Sequence, residues 1–215
     1  MKRNYLSEYF GTAFLTMIVL GSGLKAQKLF PGQEGLALLA NSLATGAGLF
    51  ALIHCLTPLS GAHINPVVSL AELVWQGLNI RTMTGYLAAQ LLGALSGVAL
   101  VHLMFAQDLL QPSHIQREGS HLLVAELIAT FGLVSVVALA KRRTPEFTAI
   151  AVTAYVTAAY WFTSSTGFSN PALTLARCFT ESFGGMSPQH LLSFVCAQTL
   201  GALLASALWR ESGGT

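Results

Sequence analysis

Six apolar segments, each about as long as a bilayer is thick, constrain this chain more than any other feature. They cover about residues 5–24, 36–57, 83–105, 121–140, 147–165 and 189–209. A helix of about 20 apolar residues crosses the hydrocarbon core. The 215 residues are 53% hydrophobic and only 9% charged, with a mean hydropathy of +0.60. Soluble domains carry roughly 25% charged residues, so this chain cannot cover a soluble fold. The opening MKRNYLSEYFGTAFL resembles a secretory leader, but Glu8 within its apolar run and the lack of a small-residue cleavage pattern predict a first span instead.

Charge orients the expected bundle. With the N-terminus inside, one face holds Lys2, Arg3, Arg81, Lys141, Arg142, Arg143 and Arg210, and the other only Lys25, Lys28 and Arg117. Excess Lys and Arg in short loops marks the cytoplasmic side, which predicts that both termini are cytoplasmic. A net charge of +2 gives no grounds for a nucleic-acid partner. Cys55, Cys178 and Cys196 lack metal or redox spacing and read as buried structural thiols. No phosphate loop, Ser/His/Asp set or metal cluster stands out, so neither an enzyme nor a cofactor is expected, and the histidines read as structural.

The chain repeats itself. YLAAQLLGALSGVAL (86–100) matches FVCAQTLGALLASAL (194–208), and SEYFGTAFL aligns with VAELIATFGL, setting Glu8 against Glu126. Between them SGAHINPVVSLAE (60–72) pairs with STGFSNPALTLAR (165–177). The expected organisation is one transmembrane domain over 1–215, with repeats of about 1–110 and 118–215. Three spans per repeat is odd, so the second copy is inverted, an arrangement that puts the functional site at the repeat interface. Asn65 and Asn170 suit helix N-caps, and Pro66 and Pro171 suit the first helical position. The segments that follow, VVSLAELVWQG and ALTLARCFTESFGG, are too short to span and must re-enter, which needs a cavity or buried surroundings. Meeting end to end, two such helix starts repel cations and offer asparagine amides.

These residues resemble the aquaporin and aquaglyceroporin (major intrinsic protein) family. The resemblance covers nearly the whole chain. It implies an all-α membrane fold of six transmembrane helices and two half-helices, in a right-handed bundle that usually forms homotetramers. By that resemblance Asn65 and Asn170 donate to passing solute, carbonyls of Gly61, Ala62, His63, Ile64, Gly167, Phe168 and Ser169 accept from it, and Glu8 and Glu126 brace the two loops.

Water-selective members combine an aromatic, a histidine, a small residue and an arginine at their constriction. Counting from the asparagines puts Thr45, Ala158, Gly167 and Leu173 there. A wider, less polar pore follows, for neutral solutes such as water, glycerol or urea. Leu173 followed by Arg177 also resembles the bacterial aquaglyceroporins of arsenic-resistance operons, which pass arsenous acid. Arg177 has two compatible readings: a charge at the outer mouth one turn beyond Leu173, or a partner for Glu181. Glu72 sits at the matching place in the first half. Two alternatives stay open: a water-selective pore, and a proton-coupled transporter with Glu8 and Glu126 as relay groups. The expected setting is the cell membrane, amid lipid.

Overall fold

The computed structural model describes residues 3–75, 77–109 and 111–210, and Lys2 of the charge count lies outside them. These residues form eight α-helices: α1 (Arg3–Leu29), α2 (Glu34–Ser60), α3 (Pro66–Val74), α4 (Ile80–Met104), α5 (Ser120–Ala140), α6 (Pro145–Phe162), α7 (Pro171–Arg177) and α8 (Leu191–Leu208). Five are long and apolar enough to cross a membrane. The sixth long helix, α6, interrupts its apolar run with threonines and tyrosines. Thr148, Tyr155 and Tyr160 among them line an internal cavity, so this lower hydropathy has a structural cause. The molecule is an integral multi-pass membrane protein of the fold class expected.

Short side chains set the helix pairing. α1 packs along α4 and α5 along α8, and these are the helices that carry the repeated motif. A Cβ on Gly93 would lie 2.4 Å from the Tyr9 carbonyl oxygen, and one on Gly201 would lie 2.3 Å from that of Leu127. Backbone atoms cannot swing aside, so both close approaches require glycine.

The half-helices start as their sequences dictate. Asn65 accepts from the Val67 N–H at 3.0 Å, and Asn170 accepts from Ala172 and Leu173 at 3.1 and 3.3 Å, each with proline at the first helical position. Their lengths differ from expectation. α7 stops at Arg177, and CFTESFGG turns back as a loop tied down by Met186 N–H to Arg177 O (3.0 Å) and Ser113 N–H to Cys178 O (3.0 Å). The cysteine reading is also corrected. Cys178 is buried, but Cys55 and Cys196 lie exposed on the outward faces of α2 and α8. In a bilayer an outward face is apolar by default, so a thiol is as comfortable there as in the core.

Candidate functional site

A cavity of about 280 Å³ runs beside α6 for its whole length. Pro145, Thr148, Val152, Val156, Ala159 and Tyr160 line it at helical spacing, a stripe about 22 Å long at 1.5 Å per residue. Thr45, Leu49, Ile53 and Thr57 form the facing stripe on α2. Lys141 marks one end and Arg177 the other, with Asn65 and Asn170 between them.

At the centre the half-helix starts reach across to one another. Asn65 Nδ2 donates to the Ser169 carbonyl at 2.8 Å and Asn170 Nδ2 to the Ile64 carbonyl at 3.0 Å. With Oδ1 held by the helix N–H groups, each amide keeps one N–H for the cavity. All seven residues expected to supply carbonyls line the cavity, but the last carbonyl of each loop is taken by the opposite asparagine.

Unusual backbone produces this geometry. Ala62 and Ile64 in one loop, and Thr166 and Ser169 in the other, adopt left-handed φ angles of 50°, 41°, 64° and 47°, at roughly 1–2 kcal/mol per non-glycine residue. Buried carboxylates offset that strain. Glu8 accepts from the His63 and Ile64 N–H groups at 3.0 and 2.6 Å, from Ser60 Oγ at 2.6 Å and from Gln90 at 2.7 Å. Glu126 accepts from Phe168 and Ser169 at 2.8 and 3.0 Å and from Gln198 at 2.6 Å. The glutamines also anchor the half-helices, Gln90 to Ser69 (3.1 Å) and Gln198 to Thr174 (2.9 Å). His63 Nδ1 lies 3.0 Å from the same Ser69 hydroxyl.

At the constriction, Thr45, Gly167 and Leu173 line the cavity as counted, but Ala158 does not. It is exposed on the outer face of α6, and Ala159 and Tyr160 stand in the wall instead. Positions 152, 156 and 159/160 share a helix face, whereas 158 falls on the other side. Counting back from Asn170 crosses the irregular 163–169 loop, where helical spacing does not hold. Gly167 faces Ala159: a Cβ on it would lie 2.8 Å from the alanine's Cβ.

The Arg177–Glu181 pair does not form. Because α7 ends at Arg177, residue 181 is not one turn further along a helix. Glu181 lies off the cavity wall and accepts from the His114 N–H at 2.8 Å, while Arg177 Nη1 donates to the Gly184 carbonyl at 2.6 Å. Glu72 pairs with Lys141. Among the described residues no group of three or more metal-ligating side chains is found.

A protein-family model described as Major intrinsic protein matches residues 1–160. The chain belongs to the major intrinsic protein family. It is therefore a channel and not an enzyme. It is 45% identical over 210 residues, 98% of its length and 90% of the relative's, to "Aquaglyceroporin AqpS" of Rhizobium meliloti (strain 1021). It is 38% identical over 100 residues to the lens fiber major intrinsic protein of Gallus gallus, a match covering 46% of this chain and 36% of that protein. The crystal structure of the aquaglyceroporin from Plasmodium falciparum shares its fold, with a TM-score of 0.76 at 20% identity over 97% of this chain and 95% of that one. The family places this chain among passive channels for water and small solutes.

Sequence reasoning missed Tyr160, Ala159 and Arg117. A stripe search along α6 finds the first two, since they continue the spacing of Thr148, Val152 and Val156. Arg117 lies in the irregular 111–119 segment and reaches the site by standing 4.9 Å from the ring centroid of Phe168, a contact that no local pattern encodes.

Proposed function

We propose that the chain is a wide, passive pore for neutral solutes of the size of glycerol, urea or arsenous acid, and that it passes water as well. The observation that carries this is Leu173 in the cavity wall, at the position where water-selective relatives carry arginine, in one cavity with Thr45, Gly167 and Ala159. These four residues are small or aliphatic and uncharged, and the Tyr160 ring that also lines the wall is tied to Thr45, its hydroxyl 3.1 Å from Oγ1. Discrimination in a pore depends on diameter and lining donors, so small walls admit solutes larger than water. The solute class is also supported by the likeness to a relative named as an aquaglyceroporin.

Asn65 and Asn170 are the central donors, and the free loop carbonyls accept in line with them. The two sets of bonds around Glu8 and Glu126 support reading residues 1–110 and 118–215 as inverted copies within one domain. They also speak against the coupled transporter: each acid has only donors around it, and nothing hands a proton on. The excess of basic residues on one face supports reading both termini as cytoplasmic in a cell-membrane protein, and membership of the family supports a homotetramer with one pore per subunit.

The test is stopped-flow permeability of proteoliposomes to water, glycerol, urea and arsenous acid, for the native chain and Leu173→Arg. The native chain passes all four. Leu173→Arg lowers the glycerol-to-water ratio about tenfold or more, the scale of one lost or blocked favourable contact. An unchanged ratio in a conducting variant would show that the constriction lies elsewhere.

A further inference from the structure

The mouth at Lys141 holds a charge where solute must pass. Lys141 closes α5, where its N–H donates to the Val137 carbonyl at 3.1 Å, and only Arg142, Arg143 and Thr144 separate it from α6. It lines the cavity, as do Val137 one turn back and Pro145 and Thr148 at the start of α6. Lysine is a strongly hydrated ammonium on a flexible four-carbon stem. Left free at this mouth, it would sweep across the opening and narrow it.

The fold does not leave it free. Lys141 Nζ donates to Glu72 Oε1, and Glu72 belongs to α3 and lies off the cavity wall. The ammonium is therefore drawn to the α3 side of the mouth. The two partners need one another unequally. The Lys141 side chain is 41% exposed and is served by water alone, whereas the Glu72 side chain is 12% exposed. A carboxylate so enclosed needs a cation or donors, and among the described residues Lys141 supplies the one ion pair found for it. Space is cleared for the acid as well: a Cβ on Gly77 would lie 2.6 Å from Glu72 Oε2, so a side chain at 77 would displace the carboxylate. A tie between α3 and α5 requires neither partner to stand in the cavity wall; here one does.

We propose that Glu72 is a positioning residue for permeation: it holds the Lys141 ammonium against α3 and so keeps the mouth clear. Ion pairs with an exposed partner are weak, so the bias between a held and a free lysine is about twofold to fivefold, not a full block. The inference deepens the wide-pore reading and rests on it, since a swinging lysine obstructs glycerol more than water.

The test is the glycerol-to-water permeability ratio of proteoliposomes of the full chain, for Glu72→Gln, Lys141→Ala and the double variant. Glu72→Gln frees the lysine and lowers the ratio about twofold to fivefold. Lys141→Ala breaks the same pair but removes the obstacle, so its ratio stays at or above the native value. The double variant, which leaves neither charge unpaired, returns to the native value too. Gly77→Ala keeps both charges but moves the carboxylate; it gives a smaller fall that Lys141→Ala also cancels, and it carries the test if Glu72→Gln fails to assemble. A purely structural tie predicts the opposite pattern: both single variants lose the pair and lower the ratio alike, and the double variant does no better. That pattern, or an unchanged ratio in Glu72→Gln and Gly77→Ala, would overturn the proposal. A native chain that passes water but no glycerol would reject the wide-pore reading, and the role of Glu72 with it, because such a mouth has no width to protect.

Discussion

Glu8 and Glu126 are enclosed by donors alone, so an amide at either site aims N–H groups at N–H groups. Glu8→Gln and Glu126→Gln each lose charge-assisted bonds worth roughly 1.5–3 kcal/mol apiece and release loops that hold strained residues. Both variants are expected to lower the thermal midpoint in detergent by similar amounts, on the order of 5–10 °C for a chain of this size. Normal stability with lost proton-driven transport in one of them would reject bracing at that residue. Gly167 combines a φ of +58° with close contact to Ala159. Gly167→Ala is therefore expected to slow glycerol more than water in a stopped-flow assay; equal slowing would indicate collapse of the loop instead. The partners of these residues were legible because the chain states them twice: Glu, Gln and Asn recur at matched places, and a coincidence found twice carries information. Arg117 was not, because the irregular segment that brings it to the site is held by distant bonds such as Arg117 to Gly185; Ala159 lies on α6 and was passed over because the count from Asn170 crosses the irregular 163–169 loop.

At the scale of elements, hydropathy located every long helix, and the differences lie at the ends. α1 runs to Leu29 rather than about residue 24, and α6 ends at Phe162 where the Ser/Thr/Gly loop begins. Apolar length marks the hydrocarbon depth, whereas helices continue past it into the interface. α7 is shorter than expected because CFTESFGG is turned away from the helix by bonds to residues 113–117. The α1–α4 and α5–α8 pairs rest on backbone contact at Gly93 and Gly201. Gly93→Ala and Gly201→Ala are expected to force those pairs apart at about 1–3 kcal/mol each, read as a lower thermal midpoint and a reduced yield of assembled protein. Wild-type stability in both would mean that the helices have room to spare.

Across the whole molecule, the parts combine into a path that holds no mobile charge carrier: two acids locked among donors, two amides at the centre and cations at both ends. A passive pore needs nothing more, and a coupled one would need a proton acceptor that changes partners. The direct measurement is the initial swelling rate of proteoliposomes across a series of glycerol gradients, with and without an imposed pH gradient and a protonophore. The rate should rise linearly over the whole series and stay the same in the presence of either. A rate that saturates and collapses with the protonophore would contradict the channel account.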